Sequence, residues 1–135
     1  MSATLKRLFL ITDFGFLFYW GITVLVALKF INIPKEYLFK DYNNPLMQIW
    51  NWSFMPIDIL ASLTGLWAVH CMKKNKQWRN VALISMTLTF CAGFMAICFW
   101  TFQKNFDLSW WLPNLFLMLW PILIYASIRT EETST

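Results

Sequence analysis

The chain is poor in charge: Asp, Glu, Lys and Arg make up 13% of its 135 residues, whereas hydrophobic residues make up 59%. A soluble domain usually has about 25% charged and about 45–50% apolar residues. The shortage of charge therefore argues against a soluble domain and indicates a chain that lies in lipid. The net charge of +4 does not indicate nucleic acid as a partner, because the basic residues lie in short loops at helix ends.

Cysteine and histidine are also scarce. The three cysteines, Cys71, Cys91 and Cys98, cannot all pair, and no Cys-x-x-Cys or Cys/His ligand spacing occurs. We therefore expect neither a disulfide scaffold nor a metal site, and interpret these residues as small apolar fillers. The single histidine, His70, lies beside a basic loop, where we expect a polar residue at headgroup level rather than a catalytic base.

The motifs of common enzymes are missing as well. The sequence contains no GxSxG elbow, HExxH motif, phosphate-binding loop or GxGxxG fingerprint. We expect no cofactor and no catalytic residue for a soluble substrate. A lipid-modifying enzyme remains open, because Asp, Tyr and Trp inside a membrane can act on a membrane substrate.

Four long apolar stretches dominate the chain, at residues 8–30, 48–71, 81–102 and 110–128. Each approaches or exceeds the ~20 residues with which an α-helix crosses about 30 Å of hydrocarbon. We predict an all-α fold: a four-helix transmembrane bundle, antiparallel in up-down-up-down order, that forms one integral membrane domain over residues 1–135. The first stretch is too long for the core of a signal peptide, so we interpret it as a retained helix.

The distribution of basic residues predicts the orientation of these helices. Lys6, Arg7, Lys73, Lys74, Lys76, Arg79 and Arg129 fall on one side of a four-span arrangement, and Lys29, Lys35, Lys40 and Lys104 fall on the other. Because cytoplasmic loops carry an excess of Lys and Arg, we expect the N- and C-termini to be cytoplasmic.

Two of the stretches carry stripes of mostly small residues at steps of three and four. The stripe on the second is Asn51, Phe54, Asp58, Ala61, Gly65 and Ala68, and that on the third is Ala82, Ser85, Thr89, Ala92 and Ala96. Helices in lipid associate through close packing and polar contacts. We therefore expect the stripes to face each other or the bundle centre, as ordinary packing surfaces rather than as a ligand site.

Asp58 is the least ordinary residue, because its position within the second stretch places a carboxyl group near the middle of the membrane. A charge there costs at least ~2.5 kcal/mol. No Lys or Arg lies at the same depth, so we expect the neutral acid. The candidates for hydrogen bonding at similar depth are Tyr19, Trp20, Thr89 and Trp120. Pro56 is expected to kink the helix beside the acid.

Two interpretations of Asp58 remain open. In the functional one, the acid titrates a proton or binds a cation inside the bundle. In the structural one, a protonated Asp58 holds helices together through hydrogen bonds of ~0.6–2 kcal/mol each. Asp13 is a further candidate for ligand or proton binding, but we interpret it chiefly as an interfacial residue that pairs with Arg79, His70 or Arg129.

Three segments carry a resemblance to a known family: PLMQIWNW at 45–52, MPID at 55–58 and FDLSWWLPN at 106–114. In these segments the chain resembles the YvaD-like proteins, uncharacterised four-span membrane proteins of Bacillus-type bacteria. The resemblance covers essentially the whole length and implies a bacterial cell-membrane protein without an assigned activity. A second likeness, to small multidrug resistance transporters, rests on size, four spans and the acid at Asp13, and their glycine-rich packing motifs are not matched.

Three functions follow as hypotheses. The first is a non-enzymatic bacterial multi-pass membrane protein that binds or modulates another membrane component. The second is a small proton-coupled transporter, oligomeric, with Asp58 as its titrating group. The third is a lipid-binding or lipid-modifying membrane protein. The expected partners are membrane lipids and either a second copy of the chain or another membrane protein.

Overall fold

The computed structural model describes residues 3–37, 39, 41–74 and 77–133, and among these the side chains of residues 36 and 127–133 are excluded. The predictions for Lys40 and Lys76, and for the side chain of Arg129, lie outside the described residues and side chains.

The described residues form helices and no strand, which confirms the all-α prediction. They are α1 (Ala3–Ala27), α2 (Pro45–Ser53), α3 (Met55–Lys73), α4 (Arg79–Phe102) and α5 (Leu108–Thr133), with a 3-10 turn at Lys35–Tyr37. Because α2 and α3 follow each other directly, the described chain has four helical segments that are long and apolar enough to cross a membrane. Their order across a bilayer stays a prediction.

The first and third spans each end near a lysine with a left-handed backbone, which the apolar pattern did not predict. Lys29 and Lys104 adopt the left-handed backbone region, with φ of 61° and 54°. At the first of these ends, Lys29 N donates to Val26 O and Phe30 N donates to Leu25 O, both at 3.0 Å. This is the Schellman arrangement, in which glycine is the usual left-handed residue. Here a lysine takes that position. The left-handed backbone at Lys29 ends α1 at Ala27, although the apolar run continues to residue 30.

The helix assignment of the second span is interrupted at Phe54, two residues before Pro56. Phe54 keeps helical backbone angles, with φ of −78° and ψ of −22°, and a kink beside Asp58 stays a prediction. The start of the span is as expected: the Asn44 side chain accepts a hydrogen bond from Leu46 N at 3.0 Å, and Pro45 occupies the first helical turn. The span therefore begins three residues before the apolar stretch at 48, and Asp58 lies in the first turn of α3.

The helices pack in a chain of neighbours, with α1 on α3, α3 on α4 and α4 on α5. The α1 and α5 helices meet chiefly at one end, where the rings of Phe9 and Trp120 lie edge to face at 5.6 Å. That contact belongs to a buried apolar cluster with Leu5, Ala68, Val69, Ala82 and Met86. Beyond the cluster, no comparable packing joins the described parts of α1 and α5.

The small residues of the two stripes are buried, as expected, and they lie at more than one contact between helices. Ser85 Oγ donates to Ala61 O at 2.8 Å, which joins the two stripes directly. Gly65 instead faces α1, and Gly93, next to the stripe on α4, faces α5. A Cβ atom at Gly93 would lie 2.6 Å from Asn114 O and 2.7 Å from Met118 N. Glycine is therefore what lets the backbones of α4 and α5 approach each other.

We expect Gly93→Ala to lower the thermal unfolding midpoint in detergent, because its methyl group would push α4 and α5 apart. Gly21→Ala is the matched control, since a Cβ there meets nothing within 4 Å. Both changes gain about 1 kcal/mol of helix propensity, so Gly21→Ala should be neutral or stabilising. Equal midpoints for the two variants would contradict close packing at Gly93.

Candidate functional site

A cavity of about 370 Å³ lies between α1 and α5, where these helices have separated beyond the Phe9–Trp120 contact. Its lining includes Ile11, Thr12, Gly15, Phe16, Tyr19, Trp20, Trp50, Asn51, Phe54, Asp58, Ala92, Ala96, Trp100, Ser109, Trp110, Pro113, Asn114, Phe116 and Leu117. The walls are mostly apolar and aromatic with a few polar groups, which is the usual character of a small-molecule site, and the volume is at the low end of the range for such sites.

Asp58 lies in the wall of this cavity and is only 6% exposed. Trp20 Nε1 donates a hydrogen bond to Asp58 Oδ2 at 2.9 Å, which confirms Trp20 as a partner of the acid. Asp58 Oδ1 is covered and has no hydrogen-bond partner among the described residues. No Lys, Arg or His belongs to the described lining, so the carboxyl group has no cationic neighbour there. The acid is thus half satisfied by the protein.

Tyr19 contributes to the site through Asn51 rather than through Asp58. Its hydroxyl donates to Asn51 Oδ1 at 2.9 Å, across from α1 to α2. Asn51 Nδ2 and the hydroxyl of Thr12 are buried and have no partner among the described residues. Together with Asp58 Oδ1, three unpartnered buried polar atoms therefore belong to cavity-lining residues. Four more such atoms, two on Asp13 and one each on Thr89 and Trp120, belong to residues outside this lining.

The structure separates the other two candidates, Thr89 and Trp120, from the cavity. Neither belongs to its lining, and both Thr89 Oγ1 and Trp120 Nε1 lack a partner among the described residues. Thr89 is one helical turn beyond Ser85, which bonds to Ala61, so it lies level with Asp58 on the α3–α4 seam. Trp120 packs with Phe9 at the closed end of the α1–α5 gap. Thr89 is therefore at the level of the acid but on another seam, whereas Trp120 lies at the level of Ala68 and Val69, about 15 Å along α3 from Asp58.

The interpretation of Asp13 as an interfacial residue in a salt bridge is wrong for Arg79 and His70. Asp13 is 0% exposed, and neither of its carboxyl oxygens has a partner among the described side chains. The carboxyl group lies directly over Gly65 of α3, so that a Cβ there would be 2.8 Å from Asp13 Cγ. Helical periodicity explains the difference: Asp13 shares the buried face of α1 with Phe9, Phe16 and Trp20.

Ser62 connects the two buried acids through their backbones. Its hydroxyl is 2.9 Å from Asp58 O and 3.3 Å from Asp13 O, both of which accept from it. Asp13 lies opposite Gly65 and Asp58 opposite Trp20, so their carboxyl groups are about two helical turns apart, or ~10 Å, along the α1–α3 seam. Two acids without cationic partners thus occupy one helix–helix seam.

The residues that form the rest of the cavity were not recognised from the sequence. Asn51 was interpreted only as part of a packing stripe, and Trp50, Trp100 and Trp110 were not among the candidates. The described structure stacks Trp50 on Phe99 at 3.9 Å and sets Trp100 against Trp50 at 5.7 Å. Because these contacts join residues that are distant in the chain, the periodicity of the sequence does not indicate them.

A double-mutant cycle tests the contact between Asp13 and Gly65. Gly65→Ala should destabilise the protein by about 1–3 kcal/mol, because its methyl group overlaps the Asp13 carboxyl. In the Asp13→Ala background the same change should cost much less, since the obstruction has gone. The measurement is chemical or thermal unfolding in one detergent.

Gly21→Ala, combined with Asp13→Ala, is the control for that cycle and should be additive, because Gly21 has open space around it. Additivity at Gly65 as well would contradict the position of the Asp13 side chain.

Comparison with known proteins places this arrangement in a family. Residues 5–135 match a family described as being of unknown function, DUF5360. The chain is 44% identical over 132 residues to the uncharacterised protein YvaD of Bacillus subtilis (strain 168), and the alignment covers 97% of this chain and 96% of that protein. No solved structure matches the chain. The chain with the cavity between α1 and α5 therefore belongs to the DUF5360 family of unknown function, as its YvaD-like segments indicated.

Proposed function

We propose that this chain is a non-enzymatic multi-pass protein of the bacterial cell membrane, with both termini in the cytoplasm, that binds an amphipathic membrane molecule between α1 and α5. The observation that carries this proposal is the apolar, aromatic cavity, whose lining includes the polar residues Thr12, Asn51 and Asp58. An apolar body would fill the space, and a polar group would lie beside these residues. The proposal is a more specific form of the first hypothesis, in which the chain binds another membrane component: it names an amphipathic molecule as that component and the cavity as its site.

The position of the cavity supports entry from the bilayer. Ile11 on α1 and Phe116 on α5 both line it and are 64% and 41% exposed at the bundle surface. Between these helices the described residues provide little packing above the Phe9–Trp120 contact. A molecule dissolved in lipid would therefore reach the cavity sideways, without passing through water. A second copy of the chain, or another membrane protein, as a partner stays a prediction.

The cytoplasmic termini follow from charge. Arg7 near the start of α1, Lys73 and Lys74 at the end of α3, and Arg79 at the start of α4 are exposed residues at element ends. They belong to the more basic of the two predicted sides, which the positive-inside tendency assigns to the cytoplasm.

Filling the cavity tests the proposal. Gly15 lines the cavity, and a Cβ there meets nothing within 4 Å, so Gly15→Leu adds volume without a clash. With a neutral medium-chain alcohol that carries a diazirine, we expect photo-labelling of wild-type protein at cavity residues, mapped by mass spectrometry. Gly15→Leu should reduce that labelling at least severalfold, because the added side chain occupies the space of the probe.

Gly21→Leu is the matched control, since Gly21 is on the same helix, has open space around it and does not line the cavity. It should leave cavity labelling unchanged. If Gly15→Leu labels as well as wild type, the alcohol does not occupy this cavity and the proposed site is refuted.

A second candidate function, a proton-coupled transporter with Asp58 as titrating group, has a specific observation in its favour. Asp13 and Asp58 lie on one seam, linked by Ser62, and neither has a cationic partner among the described side chains. Ser109 and Trp110 also line a larger cavity of about 890 Å³ beside the loop at residues 41–44. These two residues thus line both the cavity that contains Asp58 and a more polar one.

If this second function holds, protein reconstituted into liposomes with a pH gradient should move protons, and Asp58→Asn should abolish the flux. The amide keeps the acceptor for Trp20 but no longer exchanges a proton. Glu132→Gln, which likewise replaces a carboxylate by an amide but lies near the end of the sequence, is the control and should retain flux. A flux that Asp58→Asn leaves intact would remove Asp58 from any transport mechanism.

A further inference from the structure

We infer that the ligand of the cavity between α1 and α5 is a lipophilic amine, whose ammonium group hydrogen-bonds to the carboxyl group of Asp58 while its alkyl part lies against the aromatic walls. This inference rests on the proposed function, and it names the chemical class of the bound molecule.

The first argument is the unmatched acceptor. Asp58 lines the cavity, one of its oxygens accepts from Trp20 Nε1, and the other is covered by neighbouring atoms and has no donor among the described residues. The terminal torsion of an aspartate is soft, so rotation about it brings an oxygen towards a bound group. Hydrogen bonds with an ionised partner are about twice as strong as those between neutral groups, and in an ammonium–carboxylate pair both partners are ionised.

The second argument is the charge balance of the walls. The described lining contains one acid and no Lys, Arg or His. A buried carboxylate is costly in lipid unless a cation accompanies it. Asp58 is expected to be neutral while no cation is near; an amine that takes up its proton would form an ion pair with the carboxylate inside the cavity, whereas an alcohol is too weak a base to do so. An anionic ligand is disfavoured because it supplies no counter-charge.

The third argument is the aromatic composition of the walls. Trp20, Trp50, Trp100 and Trp110 all line the cavity, with Phe16 and Phe54 beside them. The face of an indole ring attracts a cation, and this attraction is stronger where water is excluded. The same rings offer apolar area to an alkyl chain. One acid surrounded by indole rings is thus a combination that favours a cation with an apolar body.

The test compares two photo-labelling probes with the same medium-length alkyl chain and diazirine, one a primary amine and the other the corresponding alcohol. Labelling at cavity residues is measured against probe concentration in a neutral detergent and normalised to labelling elsewhere on the protein. For wild type we expect the amine to reach half-maximal labelling at about tenfold lower concentration than the alcohol.

Asp58→Asn should abolish that preference and retain labelling by the alcohol. The control for general attraction of a cation is Asp41→Asn, which removes one negative charge from an exposed loop residue and should keep the preference. Asn tolerates the left-handed backbone that Asp41 adopts at φ 54°, so this control should fold normally.

The outcomes separate the inference from the proposed function. Equal cavity labelling by the two probes, or a preference that survives Asp58→Asn, would overturn the amine and leave cavity binding intact. Absence of cavity labelling by both probes would refute the proposed function as well. If Asp58→Asn fails to fold, a competition experiment with the wild-type protein tests the inference instead. An unlabelled alkyl amine should displace the amine probe at about tenfold lower concentration than the alcohol of the same chain length. Equal displacement by the two compounds would refute the inference.

Discussion

The hydrogen bond from Trp20 to Asp58 is the interaction on which the arrangement of the site depends. It ties the middle of α1 to the first turn of α3 at 2.9 Å, and both partners are almost fully buried. In lipid such a bond contributes about 0.6–2 kcal/mol. The bond also fixes the position of α1, because it holds α1 against α3 while α5 packs on α4. Since α1 and α5 have different neighbours, a gap remains between them, and this gap is the cavity.

Small residues make the same arrangement possible along the rest of the seams. Gly65 leaves room for the Asp13 carboxyl, Gly93 lets α5 approach α4, and Ala61 receives the hydroxyl of Ser85. Dispersion and polar contacts between helices replace the hydrophobic effect, which is absent between helices surrounded by lipid. Polar atoms without partners are costly in such packing, and they occur both at the cavity, on Thr12, Asn51 and Asp58, and away from it, on Asp13, Thr89 and Trp120.

The break between α2 and α3 lies beside the site. Asn51, in α2, accepts a hydrogen bond from Tyr19, and Asp58, in the first turn of α3, accepts one from Trp20. Both residues therefore bind α1, and each has one further side-chain atom without a partner among the described residues. Pro56 has no N–H to donate, so the regular hydrogen bonding of the span is interrupted between the two residues.

Composition and periodicity alone were sufficient for the helical class, the four segments long and apolar enough to cross a membrane, and the start at Asn44–Pro45. For Asp58 they gave four candidate partners, of which the structure selects Trp20. These features depend on local backbone chemistry, on the length needed to cross lipid, or on depth within a span. Only the tertiary structure decided that Asp13 is buried over Gly65, that Tyr19 pairs with Asn51, and that Thr89 and Trp120 lie away from the acid. The physical reason is that a residue's depth and face do not specify which neighbouring helix lies opposite it. That choice is made by close packing between spans distant in the chain, and the cavity exists only where α1 and α5 do not pack.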